Sequence, residues 1–446
     1  MEARRGIHQL GHDLEHNRNH PLRFVPLLPK KQQAERSKST LTQLIHTIMF
    51  SNRAQSVAPS QTLKISAKAK EMIAEGTSVI SLSAGEPDFK TPAHICNAAI
   101  EAITNGHHGY TANTGLPELR EAISEKLARD NNLEYAPDQI IVSNGAKQSV
   151  GFSILATINP GDEVLIPSPY WVSYPEMVKL ADGIPVTIRT SFEHDYKMTP
   201  EELESAITDK TRGLLLCSPS NPTGACYSRR ELKELAEVLR AYPEIVIYSD
   251  EIYEYIVFDA DHVSLLNVAP DLKDRTVLIN GFSKGFAMTG WRLGYAAGPS
   301  SVIGAMSKIQ SQETSAPSTI SQMAGIAAYR GSMRPVMKML EAFQARRDYL
   351  LQELRSMEGV QCFTPSGAFY LFPDIRAYLN RTTPTGKKIS SSTELCVYLL
   401  EQWGVAAVPG DAFGEPNGMR LSYASSMEDL QEAADRMRKG FAALVR

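Results

Sequence analysis

The stretch RTVLINGFSKGFAMTGWRLGYAAG, residues 275–298, decides the fold class. The apolar run at its start ends beside a lysine, Lys284, and an arginine, Arg292, follows eight residues later. In open sheets of parallel strands, ligands bind beyond the carboxyl ends of the strands. The stretch therefore predicts a strand over residues 275–281 and a functional loop directly behind it.

Short apolar runs alternate with helical patterns on the amino-terminal side of this stretch. β-branched runs predict strands at residues 139–143, 162–168, 212–218 and 244–250, and apolar spacing predicts helices at residues 63–76, 118–131 and 230–242. Such alternation is typical of a mostly parallel sheet with helices on both faces. The predicted fold class is therefore α/β.

The pattern changes after about residue 335. A long amphipathic helix is predicted over residues 337–357, followed by strand-like runs at 367–374, 404–410 and 418–424 and a terminal helix. This order predicts a smaller α+β domain, to which an earlier segment also contributes. We divide the chain into an extension, a first part of the small domain, a large domain and a second part of the small domain: residues 1–53, 54–99, 100–335 and 336–446.

Composition excludes several classes of protein. Hydrophobic residues make up 43% of the 446 residues, which is enough to bury large cores. The five cysteines are widely spaced and form no C-x-x-C pair, so we expect neither disulfides nor a metal site. No apolar run is long enough to cross a bilayer, so we expect no membrane partner.

Charge is distributed unevenly along the chain. Residues 1–53 hold nine Lys or Arg and four Asp or Glu, which leaves 37 basic and 46 acidic residues in the remainder. An acidic body argues against nucleic-acid binding. The basic extension shows no sustained periodicity, so we interpret it as disordered or as a leader. We expect a cytoplasmic protein, with organelle targeting by the extension as the alternative.

Polar residues at several strand ends predict one pocket. Asp250 ends an apolar run, and a buried carboxylate there needs a cationic partner such as a ring nitrogen or an arginine; the alternative is a helix cap. The turn at Gly145 and Ala146 opens a predicted helix, whose free N–H groups attract an anion such as phosphate; by itself, a plain turn fits equally. Lys284 suits a Schiff base if it is desolvated near other cations, but taken alone it resembles a solvated loop lysine.

Four motifs carry a family resemblance. SPSNPTG at 218–224, SDEIY at 249–253, the lysine with an arginine eight residues later, and GMRLSYA at 418–424 resemble, in this order, the class I aminotransferases, which bind pyridoxal 5'-phosphate. The resemblance covers about residues 55–446. It is closest to the bacterial and plastid-like aspartate aminotransferases, through SAGEPDF, PYWVSYPEM, GAFY and FAMTGWRLGY. It implies the type I fold, in which a mostly parallel seven-stranded sheet lies between helices beside a smaller α+β domain.

The resemblance also implies roles for residues around the cofactor ring. Lys284 would form the Schiff base and carry the proton at the substrate Cα. Asp250 would keep the pyridine nitrogen protonated, so that the ring accepts electrons. Tyr253 and Asn221 would hydrogen-bond the phenolic oxygen, and Trp171 would stack on the ring.

Further implied residues hold the phosphate and the substrate. The phosphate would contact the amides of Gly145 and Ala146, the side chains of Ser283 and Arg292, and Tyr110 from a second subunit, which implies a homodimer with shared active sites; without the resemblance, Tyr110 fits a buried tyrosine. Substrate contacts would come from the loop at Gly85 and from Trp171, Asn221, Arg420, Lys147 and Thr62. Arg420 would clamp the α-carboxylate, and Lys147 with Thr62 would bind the distal carboxylate, a pair associated in this branch with accepting prephenate.

Two positions qualify these assignments. Gly281 replaces the serine that animal-type relatives carry three residues before the lysine, which removes one phosphate contact. Glu313 would oppose a dicarboxylate unless it faces away from the pocket. Taken alone, Lys147 also fits a solvated helix lysine, and Thr62 fits a helix cap.

Other functions stay open at this point. On the same fold, an aromatic or alanine aminotransferase or a carbon–sulfur lyase is possible. A cofactor-sensing regulator would need a DNA-binding unit in residues 1–53, which are too broken by proline to form one. A catalytically inactive scaffold is disfavoured because the whole set of implied residues is present.

Overall fold

A seven-stranded sheet forms the centre of the computed structural model, which describes residues 50–59, 61–259 and 261–445, with only the backbone at residues 61–63. The strands of the described chain, β1 to β12 in order, are Ile80–Ser81, Ile140–Ser143, Glu163–Ser168, Ile184–Arg189, Thr211–Cys217, Val246–Asp250, Thr276–Gly281, Gly294–Ala297, Tyr370–Leu371, Val405–Ala406, Val408–Pro409 and Met419–Ser422. The α-helices, α1 to α13 in order, are Asn52–Ser56, Gln61–Ala74, Ala93–Thr104, Pro117–Asn131, Ala146–Thr157, Tyr174–Leu180, Pro200–Ala206, Arg229–Arg240, Ser300–Glu313, Thr319–Arg330, Arg334–Arg355, Ser392–Trp403 and Met427–Ala442.

The large sheet is mostly parallel, which confirms the predicted fold class. Its strand order is β2-β8-β7-β6-β5-β3-β4. Strand β8 runs antiparallel to both of its neighbours, whereas the other neighbouring strands are parallel. The five strands predicted for this region are all present, and β4 and β8 are additions that the sequence patterns did not indicate.

Both faces of this sheet are buried under helices. On β6, Ile247 packs into one hydrophobic cluster and its neighbour Tyr248 packs into another. Because successive side chains point to opposite faces of a strand, the two clusters lie on opposite sides of the sheet. A strand that is buried on both faces has a continuous apolar run, which explains why the patterns identified the central strands.

Helix boundaries follow local capping chemistry. Ser228 accepts a hydrogen bond from the N–H of Glu231 at the start of α8, and the Glu231 side chain accepts one from the N–H of Ser228. Thr199 and Glu202 form the same reciprocal arrangement at α7. These pairs satisfy N–H groups that the first turn of a helix leaves free.

The carboxyl-terminal region contains the predicted strands and a third core. β9, β12 and β11 form an antiparallel sheet, and β1 pairs in parallel with β10. Phe343 on α11, Leu399 on α12 and Met437 on α13 pack together in this core. An amino-terminal segment therefore joins the carboxyl-terminal one through backbone hydrogen bonds.

The described residues from 56 onward form one compact unit. Our division of this unit into two domains at residues 99 and 335 stays a prediction. Most of the extension, residues 1–49, lies outside the described residues. Among the residues that are described, no helix has the length and apolar character required to span a membrane.

Candidate active site

Eleven predicted site residues line one cavity of about 360 Å³ beyond the carboxyl ends of β5, β6 and β7. They come from separate elements, as the strand-end prediction required. The eleven residues are Gly85, Ala146, Lys147, Trp171, Asn221, Asp250, Tyr253, Ser283, Lys284, Arg292 and Arg420.

Lys284 lies in the turn that follows β7, and its side chain is partly buried. Its Nζ donates a hydrogen bond to the carbonyl oxygen of Gly85. Removal from water lowers the pKa of Lys284 to about 8, and the positive charge of Arg420 contributes to the change. About a tenth of this amine at pH 7, and about half at pH 8, is therefore unprotonated and able to act as a nucleophile.

Asp250 is the last residue of β6 and is only 4% exposed. One carboxylate oxygen, Oδ2, accepts a hydrogen bond of 2.7 Å from the Tyr174 hydroxyl, and Oδ1 accepts one of 3.2 Å from the N–H of Ile252. Burial raises the pKa of Asp250 to about 6, although the Tyr174 hydrogen bond opposes the increase. A cationic partner in the cavity would stabilise the ionised carboxylate.

Two tyrosines that line the cavity were not among the predicted site residues. The hydroxyl groups of Tyr253 and Tyr370 are 2.9 Å apart and share a hydrogen bond. Tyr370 and Tyr174 both line the cavity, yet the sequence assigned neither of them a role. Both residues lie in motifs that carry the family resemblance, Tyr370 in GAFY and Tyr174 in PYWVSYPEM. A sequence motif does not show which group each hydroxyl hydrogen-bonds.

Arg420 lies on β12 and is 2% exposed. Its Nη1 donates to Asn221 Oδ1 at 2.9 Å, and its Nη2 donates to the Ser83 carbonyl at 2.8 Å. Its Nε is buried without a hydrogen-bond partner, and among the described residues no carboxylate forms an ion pair with its guanidinium. A buried cation of this kind is costly unless it meets an anion.

Lys147 supplies a further cation on the wall of the cavity. It lies in the first turn of α5, and its Nζ is 4.9 Å from the centre of the Trp171 ring. Partial desolvation on the cavity wall lowers the pKa of Lys147, and the charge of Arg292 acts in the same direction. A cation at the positive end of a helix dipole is unfavourable unless an anion is bound nearby.

An anion site is built where α5 begins. Gly145 precedes the helix with φ of 82°, and a Cβ there would lie 2.6 Å from Arg292 Nη2. A Cβ at Gly294 would lie 2.3 Å from the Ala146 nitrogen. The two glycines thus leave room for Arg292 to lie close to the first residues of α5. Among the described side chains, none accepts a capping hydrogen bond at the start of this helix. The site fits a phosphate group, and the cavity beside it, with Lys284 and Asp250, fits the ring of pyridoxal phosphate.

Two residues named in the sequence analysis, Tyr110 and Glu313, do not line the cavity. Tyr110 is 99% exposed. Thr62 belongs to α2, but its side chain lies outside the described part of the chain. Glu313 is the last residue of α9, is exposed, and does not line the cavity.

Comparison with known proteins identifies one family. A family model for aminotransferase class I and II matches residues 77–437. The chain is 50% identical over 402 residues to a Petunia hybrida protein named bifunctional aspartate aminotransferase and glutamate/aspartate-prephenate aminotransferase, covering 89% of this chain and 84% of that protein. It is also 50% identical over 390 residues to an aspartate/prephenate aminotransferase of Nitrosomonas europaea, covering 87% of this chain and 98% of that protein.

Solved structures agree with this comparison. An aspartate aminotransferase from Rhizobium meliloti superimposes with a TM-score of 0.86 at 46% identity, covering 89% of this chain and 99% of that one. An aspartate aminotransferase from Thermus thermophilus, described with maleate, superimposes with a TM-score of 0.82 at 41% identity, covering 88% and 99%.

Proposed function

The chain belongs to the class I and II aminotransferases, and on that premise we propose that it transfers the amino group between L-aspartate and 2-oxoglutarate with pyridoxal 5'-phosphate as cofactor. We further propose prephenate as a second amino acceptor, because two relatives at 50% identity carry that activity in their names. The observation that carries the proposal is the placement of two separate cations, Arg420 and Lys147, on one cavity with Lys284. Two cations suit a substrate with two carboxylates.

Residues around the cavity would hold the cofactor. The start of α5 at Gly145 and Ala146, together with Ser283 and Arg292, would bind its phosphate. Trp171 would contact the ring face, and Asn221 and Tyr253 would hydrogen-bond its phenolic oxygen. When bound, pyridoxal phosphate supplies an aldehyde that condenses with amino groups and a ring that withdraws electrons from the substrate Cα.

Asp250 would hold the proton on the ring nitrogen. Its carboxylate is buried at the end of β6, where an ionised form needs a cationic neighbour. A protonated ring nitrogen supplies that charge, and the pair keeps the ring able to withdraw electrons. The ring nitrogen would thus be the cationic partner without which the buried, ionised carboxylate is unfavourable.

Lys284 would move a proton at the substrate Cα. Its lowered pKa leaves the amine neutral in part near pH 8, so it would be able to bind the cofactor aldehyde and to accept a proton from the substrate Cα. Arg420 would bind the substrate α-carboxylate in a bidentate pair and so orient the Cα bonds. The loop at Gly85, whose carbonyl contacts Lys284, would cover the bound substrate and exclude water.

Lys147 would bind the distal carboxylate of aspartate or 2-oxoglutarate. Its position on the cavity lining, with Nζ 4.9 Å from the centre of the Trp171 ring, supports this role, because a cation there can reach an anionic group bound in the cavity. Thr62 remains part of the proposal from the family resemblance alone. The exposed position of Glu313 removes the expected conflict with an acidic substrate.

We also propose that the protein acts as a homodimer and resides in the cytoplasm, with an organelle as the alternative if residues 1–53 are a targeting segment. Tyr110 supports the dimer, because a tyrosine that is 99% exposed suits a contact with a second subunit. In a dimer, its hydroxyl would reach the phosphate of the neighbouring site. The cytoplasm is supported by the five cysteines, which are all free.

The test is a pair of half-reactions followed by cofactor absorbance. Holoenzyme is converted to its amino form with L-aspartate and then titrated separately with 2-oxoglutarate, prephenate, pyruvate and phenylpyruvate. We expect recovery of the starting spectrum with 2-oxoglutarate and with prephenate. Recovery with 2-oxoglutarate alone would remove the prephenate proposal. No conversion by aspartate, or release of pyruvate and ammonia from a sulfur amino acid, would contradict the aspartate assignment and favour the lyase alternative.

A further inference from the structure

Glu251 and Glu254 are two buried carboxylates that the reaction proposed above does not use. They belong to the segment of residues 250–254, which begins at the last residue of β6 and also carries Asp250 and Tyr253. Asp250 and Tyr253 line the cavity, whereas the two glutamates do not. Glu251 is 2% exposed and Glu254 is 7% exposed. The segment thus presents one pair of side chains to the cofactor site and buries the other pair behind it.

Three side chains contact the carboxylate of Glu251. Its Oε1 accepts hydrogen bonds from the Ser249 hydroxyl at 2.8 Å and the Ser264 hydroxyl at 2.6 Å. Its Oε2 lies 2.8 Å from His262 Nε2. Burial would lower the pKa of His262, but the hydrogen bond and charge of Glu251 outweigh it and raise that pKa. The pKa of Glu251 is lowered in spite of burial, chiefly by His262, so the 2.8 Å contact favours the charged forms of both groups, an ion pair.

The carboxylate of Glu254 accepts hydrogen bonds from a lysine and from an asparagine. Its Oε1 accepts a hydrogen bond from Lys126, and its Oε2 accepts one of 2.7 Å from Asn131 Nδ2. Lys126 is fully buried and also donates to Asn131 Oδ1 at 2.7 Å. Each glutamate therefore meets one cation, and the cluster of Glu251, Glu254, His262 and Lys126 is electrically balanced when His262 is protonated.

The same cluster has the spacing of a metal site, but its chemistry opposes that use. Ligand atoms of Glu251, Glu254 and His262 all lie within 4.8 Å of one another. The oxygens of both carboxylates already accept hydrogen bonds, and the ammonium of Lys126 already occupies Glu254. A divalent cation would have to displace these donors and lie close to a buried lysine. The arrangement instead suits a rigid support.

We propose that the His262–Glu251 ion pair is a positioning device for the reaction: it fixes residues 250–254 so that Asp250 and Tyr253 reach the cofactor. The inference rests on the proposed function. Buried ion pairs contribute little net stability compared with apolar residues, so their presence beside a site favours a role in geometry. Removing one partner leaves a buried charge uncompensated, which moves the segment or admits water.

The experiment compares Glu251→Gln, His262→Gln and their double variant with wild-type holoenzyme. We expect each single change to weaken cofactor binding and to lower kcat, each by roughly tenfold to a hundredfold, since misplacing a reacting group by about 1 Å costs on the order of 10²-fold. The KM for L-aspartate should change by less than about threefold, because Arg420 and Lys147 lie on other elements. The double variant should be no worse than the poorer single variant, because both changes break one interaction.

A matched control removes a buried carboxylate elsewhere. Asp374 is 2% exposed and pairs with Arg376, away from the cavity. Asp374→Asn should lower the Tm but leave cofactor affinity, cofactor absorbance and kcat unchanged. His262→Lys keeps a cation in place and should recover most of the activity lost in His262→Gln.

Several outcomes would overturn the proposal. One is a Tm decrease in Glu251→Gln and His262→Gln like that of Asp374→Asn, with wild-type cofactor affinity and kcat. Another is a chelated enzyme that loses kcat and regains it with Zn²⁺, which would make the cluster a metal site. If Glu251→Gln does not fold, His262→Gln and His262→Lys decide the matter. If wild-type enzyme does not act on aspartate, cofactor affinity and absorbance still test the ion pair, so the two failures are distinguishable.

Discussion

The hydrogen bond from Tyr174 to Asp250 predicts how cofactor affinity depends on pH. The change is Tyr174→Phe, which removes one hydroxyl and keeps the ring that packs edge-on against Trp171 at 5.3 Å. In the intact protein this hydroxyl lies 2.7 Å from Asp250 Oδ2 and opposes the increase that burial causes in the pKa of Asp250. Its removal should raise that pKa further, so that Asp250 becomes protonated at a higher pH.

The magnitude follows from the hydrogen bond. A bond to a charged group contributes about 1.5–3 kcal/mol, and one pH unit in pKa corresponds to about 1.4 kcal/mol. The pKa of Asp250, about 6 in the intact protein, should therefore increase by about one to two pH units in the variant. At pH 7 the ionised fraction would fall from about nine-tenths to between about a half and a tenth, which weakens cofactor binding by about twofold to tenfold.

The assay is the dissociation constant of pyridoxamine 5'-phosphate between pH 5.5 and 9. This form of the cofactor cannot condense with Lys284, and the charge of that lysine is common to the wild type and the variant, so the difference between the two curves reports on Asp250. Affinity should fall as the pH decreases through the pKa of Asp250, at a higher pH in Tyr174→Phe than in the wild type. Tyr227→Phe is the control, because it deletes another buried hydroxyl, one that accepts the N–H of Met198 and lies outside the cavity. Superimposable curves for the wild type and Tyr174→Phe, or an equal change in the control, would refute this account.

Three further predictions concern anion binding. Gly145→Ala places a Cβ beside Arg292 at a positive φ, so affinity for pyridoxal 5'-phosphate should fall at least about tenfold while affinity for pyridoxal, measured in parallel, changes little. Lys147→Ala should raise the KM for L-aspartate at least about tenfold and leave the cofactor spectrum unchanged; unaltered kinetics would remove the distal-carboxylate role. Arg420→Lys loses the planar fork, so kcat/KM for aspartate should fall by about a hundredfold with retained cofactor. The kcat/KM for alanine, which has only the α-carboxylate, should fall by a similar factor, and a loss confined to aspartate would contradict the assignment of Arg420 to the α-carboxylate.

Much of the central fold was predictable because its strands are buried on both faces. β5, β6 and β7 each contain a run of apolar residues, with polar residues at or just beyond its end, and this indicated both the sheet and the position of Asp250 and Lys284. β8 escaped prediction because GYAA contains one glycine and two alanines and has no β-branched residue. β4 escaped because it lies at the edge of the sheet with several exposed positions and contains a proline.

The site was predictable residue by residue but not contact by contact. Motif resemblance named the residues, and eleven of them line one cavity. Hydrogen bonds between distant segments carry no sequence pattern: Tyr174 and Asp250 are 76 residues apart, and Tyr253 and Tyr370 are 117 apart. Such contacts depend on how strands and helices pack, so only the folded chain reveals them. The role of Tyr110 depends on a second subunit and stays a prediction.

The most direct test of the central claim asks which residue binds the cofactor covalently. Holoenzyme is reduced with borohydride, digested and analysed by mass spectrometry, with Lys284→Ala treated in parallel. The account predicts that the cofactor mass lies on the peptide containing Lys284, and that Lys284→Ala shows no specific labelling and no conversion by aspartate. Labelling of another lysine, or aspartate conversion by Lys284→Ala at the wild-type rate, would contradict it.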